Sequence, residues 1–145
     1  MQFKTTVAKQ NLESVDWHHI DATDITLGRL ATRISKILLG KHKALYSPNV
    51  ISNDKIVVTN AKSIAVTGNK LLDKIYYRHT GFPGGIRETN YGQMQEKDPT
   101  KALRLAVKGM LPKNKLNKKR LLNLYIYGDN IHPHGANLAE RTTND

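Results

Sequence analysis

Two pairs of histidines and one glycine-rich run are the places where this chain could hold a metal, grip a phosphate or move a proton. His18 and His19 are adjacent in VDWHHID, and adjacent residues of a strand point to opposite faces, so the two do not share a metal. His132 and His134 could converge on one ion with Asp129 near, but a metal centre needs more ligands than this, and they read as surface or RNA-contacting histidines. No metal is expected. HTGFPGGIR at 79–87 follows a β-like run, and its glycines would let backbone N–H groups approach a phosphate. It is neither GxGxxG nor GxxxxGK[ST], so a flexible turn is the plainer reading for a nucleotide site, with contact to RNA backbone left open by the flanking Arg78, His79 and Arg87. The turn ATDITLG lacks the glycines of a dinucleotide site. Without Cys there is no thiolate nucleophile, disulfide or thiolate zinc site, a composition suited to a reducing compartment. The carboxylates form no obvious pair and no nucleophile elbow is present, so no catalytic residue and no cofactor is expected.

The remaining chemistry is charge. The 145 residues carry 23 Lys and Arg against 12 Asp and Glu, a net charge of +11. No acid lies between Asp24 and Asp54, where Arg29, Arg33, Lys36, Lys41 and Lys43 occur. None lies between Asp98 and Asp129, where Lys101, Arg104, Lys108, Lys113, Lys115, Lys118, Lys119 and Arg120 occur. The remainder of the chain is close to neutral, so the whole excess sits in two acid-free segments. That segregation is the footprint of a polyanion binder, with nucleic acid the first partner to consider and an anionic membrane surface the second. The opening MQFKTTVAKQ has no apolar core of the kind an export signal needs, and no run approaches the roughly 18 apolar residues of a membrane span.

The elements that must position these cations are partly legible. VDWHHID (15–21), KIVVTN (55–60), KIYYRHT (74–80) and LYIYG (124–128) have the β-branched and aromatic content of strands, and SIAVTG (63–68) reads as either a strand or a turn. The tyrosines 76, 77, 125 and 127 are read as strand packing rather than base-stacking platforms. After cap candidates Thr23, Asp24 and Thr26, the apolar residues Leu27, Leu30, Ala31, Ile34, Ile37 and Leu38 follow helical spacing, and Gly40 stands at the C-cap position. Arg29, Arg33 and Lys36 share the opposite face. A strand, helix and strand in this order imply a parallel pair. Asp98 and Pro99 start a second helix with core residues Leu103, Ala106, Val107, Met110 and Leu111, a cationic face of Lys101, Arg104 and Lys108, and a stop at Pro112. Residues 113–120 are so densely cationic that a mobile loop is expected unless an anion covers them. The expected organisation is one α/β RNA-binding domain over 1–128 with a short N-terminal extension, then an extended or mobile tail over 129–145.

LGRLAT (27–32), GKHKA (40–44), VTGNK (66–70), YYRHTGFPGGI (76–86) and AVKGMLPKNKL (106–116), in this order, resemble the bacterial-type large-ribosomal-subunit protein thirteen family. The resemblance implies a three-layer α/β/α fold around a small, mainly parallel four-stranded sheet. It implies a structural role without catalysis, a place in the ribosome of the cytoplasm or an organelle, and participation in early subunit assembly. The partners it implies are large-subunit (23S-type) ribosomal RNA and neighbouring subunit proteins, with no membrane and no small-molecule substrate. Matched motif by motif, it puts Lys41, His42, Lys43, Arg78, His79, Lys108, Lys113 and Lys115 on the RNA side, while Lys118, Lys119 and Arg120 join them on charge density. The close HPHGANLAERTTND departs from the Gln-rich ending expected of the family. The competing reading is a phosphate-binding or RNA-modifying α/β enzyme built on the 79–87 loop.

Overall fold

A computed structural model describes residues 15–139. The first strand, β1 (Trp17–Asp21), leads into α1 (Leu27–Leu39), whose chain leaves through Gly40 at φ 76°, the left-handed conformation that closes a helix without a Cβ penalty. β2 (Lys55–Thr59) then pairs with β1 in parallel register, Trp17 opposite Lys55 and Asp21 opposite Thr59. A single 3-10 turn (Ala61–Ser63) and an isolated bridge between Thr26 and Ala65 occupy the SIAVTG stretch. Here the turn reading holds, and Gly68 adopts φ 61°.

Two short elements follow, α2 (Lys70–Asp73) and β3 (Ile75–His79), then β4 (Ile86–Asn90), α3 (Tyr91–Lys97), α4 (Pro99–Met110), α5 (Leu116–Leu122), β5 (Leu124–Ile126) and α6 (Gly135–Ala139). β5 pairs with β2, giving an all-parallel sheet of order β1-β2-β5. The α/β architecture and mainly parallel sheet match expectation, but among the described residues the sheet has three strands, not four. The 74–80 strand leaves it and forms an antiparallel pair with β4. A tight turn over residues 80–85, with Gly81 and Gly84 at positive φ, closes this hairpin locally, whereas joining the parallel sheet would need another crossover.

Even-numbered residues of the sheet, Ile20, Ile56, Val58, Leu124 and Ile126, bury against Leu30, Ala31, Ile34 and Leu38 of α1 and Ala102, Leu103 and Val107 of α4. Asp98 caps α4 by accepting the Thr100 N–H at 3.0 Å, as its position before Pro99 predicts. On the opposite face of the sheet, Trp17 and Tyr125 stack with centroids 5.9 Å apart, and the His134 ring lies 4.6 Å from Tyr125. Tyr127 and His134 share a 2.8 Å hydrogen bond. Residues 129–139 thus return across this face and supply α6, which lies against β1, as a thin third layer. The expected N-terminal extension and the tail from residue 140 on lie outside the described residues.

Candidate nucleic-acid interface

α1 buries one side and offers the other. Arg29, Arg33 and Lys36 stand one helical turn apart on its exposed face and line an open groove of about 1130 Å³. The far wall of that groove is built by Ala65, Val66 and Thr67, by Lys70 at the start of α2 and Lys74 just after it, and by Ala106 and Met110 of α4. Five cations therefore face one channel, and among the described residues no acidic side chain lines it. None of the five forms an ion pair among the described residues. Lys70 donates to Thr67 Oγ1 at 3.0 Å, and the Lys74 ammonium sits 5.4 Å from the Tyr76 ring centroid. Lys70 and Lys74 were not recognised in the sequence as site residues. Each stands in a segment that also carries an acid, so a map of acid-free stretches passes over them, although VTGNK contains Lys70.

The hairpin carries a second cationic cluster. Alternation along β3 and β4 puts Tyr76, Arg78, Arg87 and Thr89 on one face and Ile75, Tyr77, His79, Ile86 and Glu88 on the other. Arg78 and Arg87 are direct cross-strand partners, both exposed, and no carboxylate pairs with either among the described residues. Tyr76 packs against the core, but Tyr77 is 67% exposed, so of these two hairpin tyrosines only Tyr76 fits the strand-packing reading, and Phe82 at the turn is 75% exposed. Two of the three glycines at this turn do not offer their N–H groups to a phosphate. The N–H of Gly81 donates to His79 Nδ1, that of Gly85 to Phe82 O, and that of Thr80 to Gly85 O. A Cβ on Gly85 would overlap Thr80 Oγ1 and approach Phe82 O to 2.8 Å, so this glycine serves close packing of the turn.

The family described as Ribosomal protein L13 matches residues 15–133. This chain belongs to that family. It is 51% identical over 133 residues to the large ribosomal subunit protein uL13 of Pelobacter propionicus, a match covering 92% of this chain and 94% of the relative. The uL13 of Legionella pneumophila strain Corby is 50% identical over 133 residues, 92% of each chain, and that of Trichlorobacter lovleyi is 48% identical over 92% of this chain and 94% of its own length.

Within this L13-family fold the other expected site residues fall into three groups. Lys101, Arg104 and Lys108 lie exposed on α4, outside the lining of the groove. Lys113, Lys115, Lys118 and Lys119 are exposed around and on α5. Lys41 and His42 are exposed just beyond α1, but His42 and Lys43 also converge on a fully buried carboxylate: Lys43 Nζ lies 2.5 Å from Asp54 Oδ1 and 3.1 Å from Asp16 Oδ2, and His42 Nε2 lies 3.1 Å from Asp54 Oδ2. Lys43 is thus half-buried and acts first as a structural ion-pair partner.

Arg120 is a correction. Expected on the RNA surface from charge density, it is 1% exposed. Its Nη2 donates to the carbonyls of Pro48 at 3.2 Å and Val50 at 3.3 Å. The physical reason is that KNKLNKKR does not stay a repelling loop. Leu116, Arg120 and Leu121 give residues 116–122 an inward helical face, α5, while Lys118 and Lys119 project to solvent.

Proposed function

We propose that this protein is a structural constituent of the large ribosomal subunit that binds 23S-type ribosomal RNA and supports early assembly of the subunit. The observation that carries the reading is the groove: Arg29, Arg33, Lys36, Lys70 and Lys74 line one surface, without an acid, in a member of the L13 family. Close cations repel, and a phosphate backbone laid along the groove replaces that repulsion with charge-assisted hydrogen bonds and releases counterions. The relatives carry the name of a large-subunit protein, which supports ribosomal RNA as the polyanion. Recognition is of backbone and shape, since the assembled groups are point charges and guanidinium forks rather than a row of stacking rings. The candidate cations all precede residue 129, which assigns RNA binding to the 1–128 portion of the chain. The enzyme reading loses support, because the backbone N–H groups of Gly81 and Gly85, two of the three glycines of the turn, are spent within it.

Fractionation of native lysate on a sucrose gradient, followed by mass spectrometry, tests the proposal. The protein is expected in the large-subunit and intact-ribosome fractions in amounts equal to other subunit proteins. Its absence from both overturns the reading.

A further inference from the structure

The histidine pair that alternation forbids from sharing an ion is replaced by another combination. His18 shares the β1 face of buried Ile20 and stands in register with Ile56. Its ring meets that of His42 edge-on, with centroids 5.5 Å apart. Asp54, fully buried just before β2, lies on the third side. One donor atom from each of His18, His42 and Asp54 falls within 4.8 Å of the other two. The decisive detail is that His18 Nε2 is buried and has no hydrogen-bond partner among the described residues. A buried imidazole nitrogen left unpaired is costly, and it calls for a ligand.

We infer that His18, His42 and Asp54 form a binding site for a divalent transition-metal ion of the zinc class, held by the two imidazole Nε2 atoms and Asp54 Oδ2. Two donors about 2.0 to 2.1 Å from a tetrahedral ion stand about 3.3 Å apart, and His42 Nε2 and Asp54 Oδ2 are already 3.1 Å apart. Two imidazoles with one carboxylate select zinc, cobalt or nickel over magnesium or calcium, which prefer oxygen. Lys43 occupies only Oδ1 of Asp54, so the ion takes Oδ2 in exchange for the contacts from His42 and the Ser52 hydroxyl. His42 then carries its proton on Nδ1 and its lone pair on Nε2. Asp54 brings a buried negative charge to the site, which favours a cation there. Burial holds the His18 pKa below its ordinary 6.5, which keeps the ring in the neutral form a metal needs. Three protein ligands leave one position for water. The ion would pin the GKHKA segment, with Lys41 and Lys43, to the first strand of the sheet.

The test is cobalt titration of the untagged, chelator-treated full chain, followed by zinc competition. One equivalent of cobalt should produce the intense visible bands of a tetrahedral site, zinc should abolish them, and zinc should raise the thermal midpoint. His18→Gln and His42→Gln should each weaken binding at least about tenfold, and His132→Gln should not. The His42 position is exposed, so that variant keeps its fold even if His18→Gln does not. Weak six-coordinate spectra, or an affinity indifferent to both substitutions, would overturn the assignment.

Discussion

Arg78 and Arg87 face each other directly across the β3–β4 hairpin, two guanidinium groups in a position where sheets ordinarily place opposite charges. Like charges opposed in this way cost a pair roughly 0.2 to 1 kcal/mol relative to neutral partners, so the arrangement works against the hairpin in the free protein. A phosphate between them turns the cost into a bidentate contact. Replacing both with Gln should therefore leave the thermal midpoint unchanged or slightly raised while RNA affinity falls. With about 0.7 to 0.9 counterion per phosphate contact and one phosphate held between the two guanidinium groups, the log-log salt slope should shrink by roughly 0.7 to 0.9. An unchanged slope would place this pair away from RNA.

The groove makes a parallel prediction with an internal control. Arg33→Gln, Lys70→Gln and Lys74→Gln together should reduce the salt slope by roughly two to three units. Exposed substitutions alter stability by only about ±0.5 kcal/mol each, so the fold should persist. Lys62 is also exposed, but it is engaged with Asp129 at 2.8 Å and lies outside the groove. Lys62→Gln should leave the slope where it was, and an equal effect from both variants would mean that net charge alone governs binding.

Arg120 should behave in the opposite way, as a stability residue. Its two hydrogen bonds fasten α5 to the 48–50 segment, beyond the cations 41–43. Arg120→Ala removes charge-assisted bonds to two carbonyls and opens a cavity, a loss of about 3 kcal/mol. Arg120→Met should lose less, because Nε and Nη1 of the arginine are buried without partners among the described residues and an apolar chain ends that cost. Denaturant unfolding of the two variants beside Lys119→Ala checks this; equal midpoints for all three would contradict the buried role.

What the sequence disclosed and what it withheld divide along the range of the interactions. Local signals were sufficient for α1 and α4: helical spacing, Gly40 in the left-handed conformation and the Asp98–Pro99 start all act within a few residues. The destination of the 75–79 strand was hidden, because β character does not say which neighbour a strand pairs with, and the competing choice lay seven residues downstream at Ile86. Arg120 misled because charge density along a chain ignores which side of a helix each residue takes. Lys70 and Lys74 join Arg29, Arg33 and Lys36 only after the bridge between Thr26 and Ala65 brings two distant segments together. The His18, His42 and Asp54 cluster is likewise assembled by the parallel pairing of β1 and β2.

Acid should loosen the fold in a defined window. Asp21 Oδ1 accepts from Asn60 Nδ2 at 2.9 Å and from the Thr23 hydroxyl and N–H at 2.7 and 3.0 Å. These bonds, that from Asn60 first, lower its pKa from 3.8 to about 2. The Thr100 hydroxyl likewise lowers the Asp98 pKa. A carboxyl whose pKa is depressed by folding contributes fully above its unfolded value and loses that contribution as pH falls through the folded value. Between pH 3.8 and about 2 the thermal midpoint should fall, and the double variant Asp21→Asn with Asp98→Asn should show a shallower decline. Parallel curves for the two proteins would remove these bonds as the cause.

The densest charge in the chain makes a prediction about order. Lys113 and Lys115 precede α5 in an exposed connection after Leu111, whereas Lys118 and Lys119 sit inside the helix and Arg120 points into the core. Trypsin needs an extended backbone, so in the free protein cleavage after Lys113 or Lys115 should outrun cleavage after Lys118 or Lys119, and cleavage after Arg120 should be slowest. Phosphates laid against the connection would neutralise its cations and restrict it, so the same sites should be protected in assembled large subunits. Mass spectrometry of timed digests reads both comparisons. Early cleavage within 118–120 would mean that α5 opens readily in solution, and equal rates in free and assembled protein would remove this connection from the RNA interface and leave the groove and the hairpin to carry it.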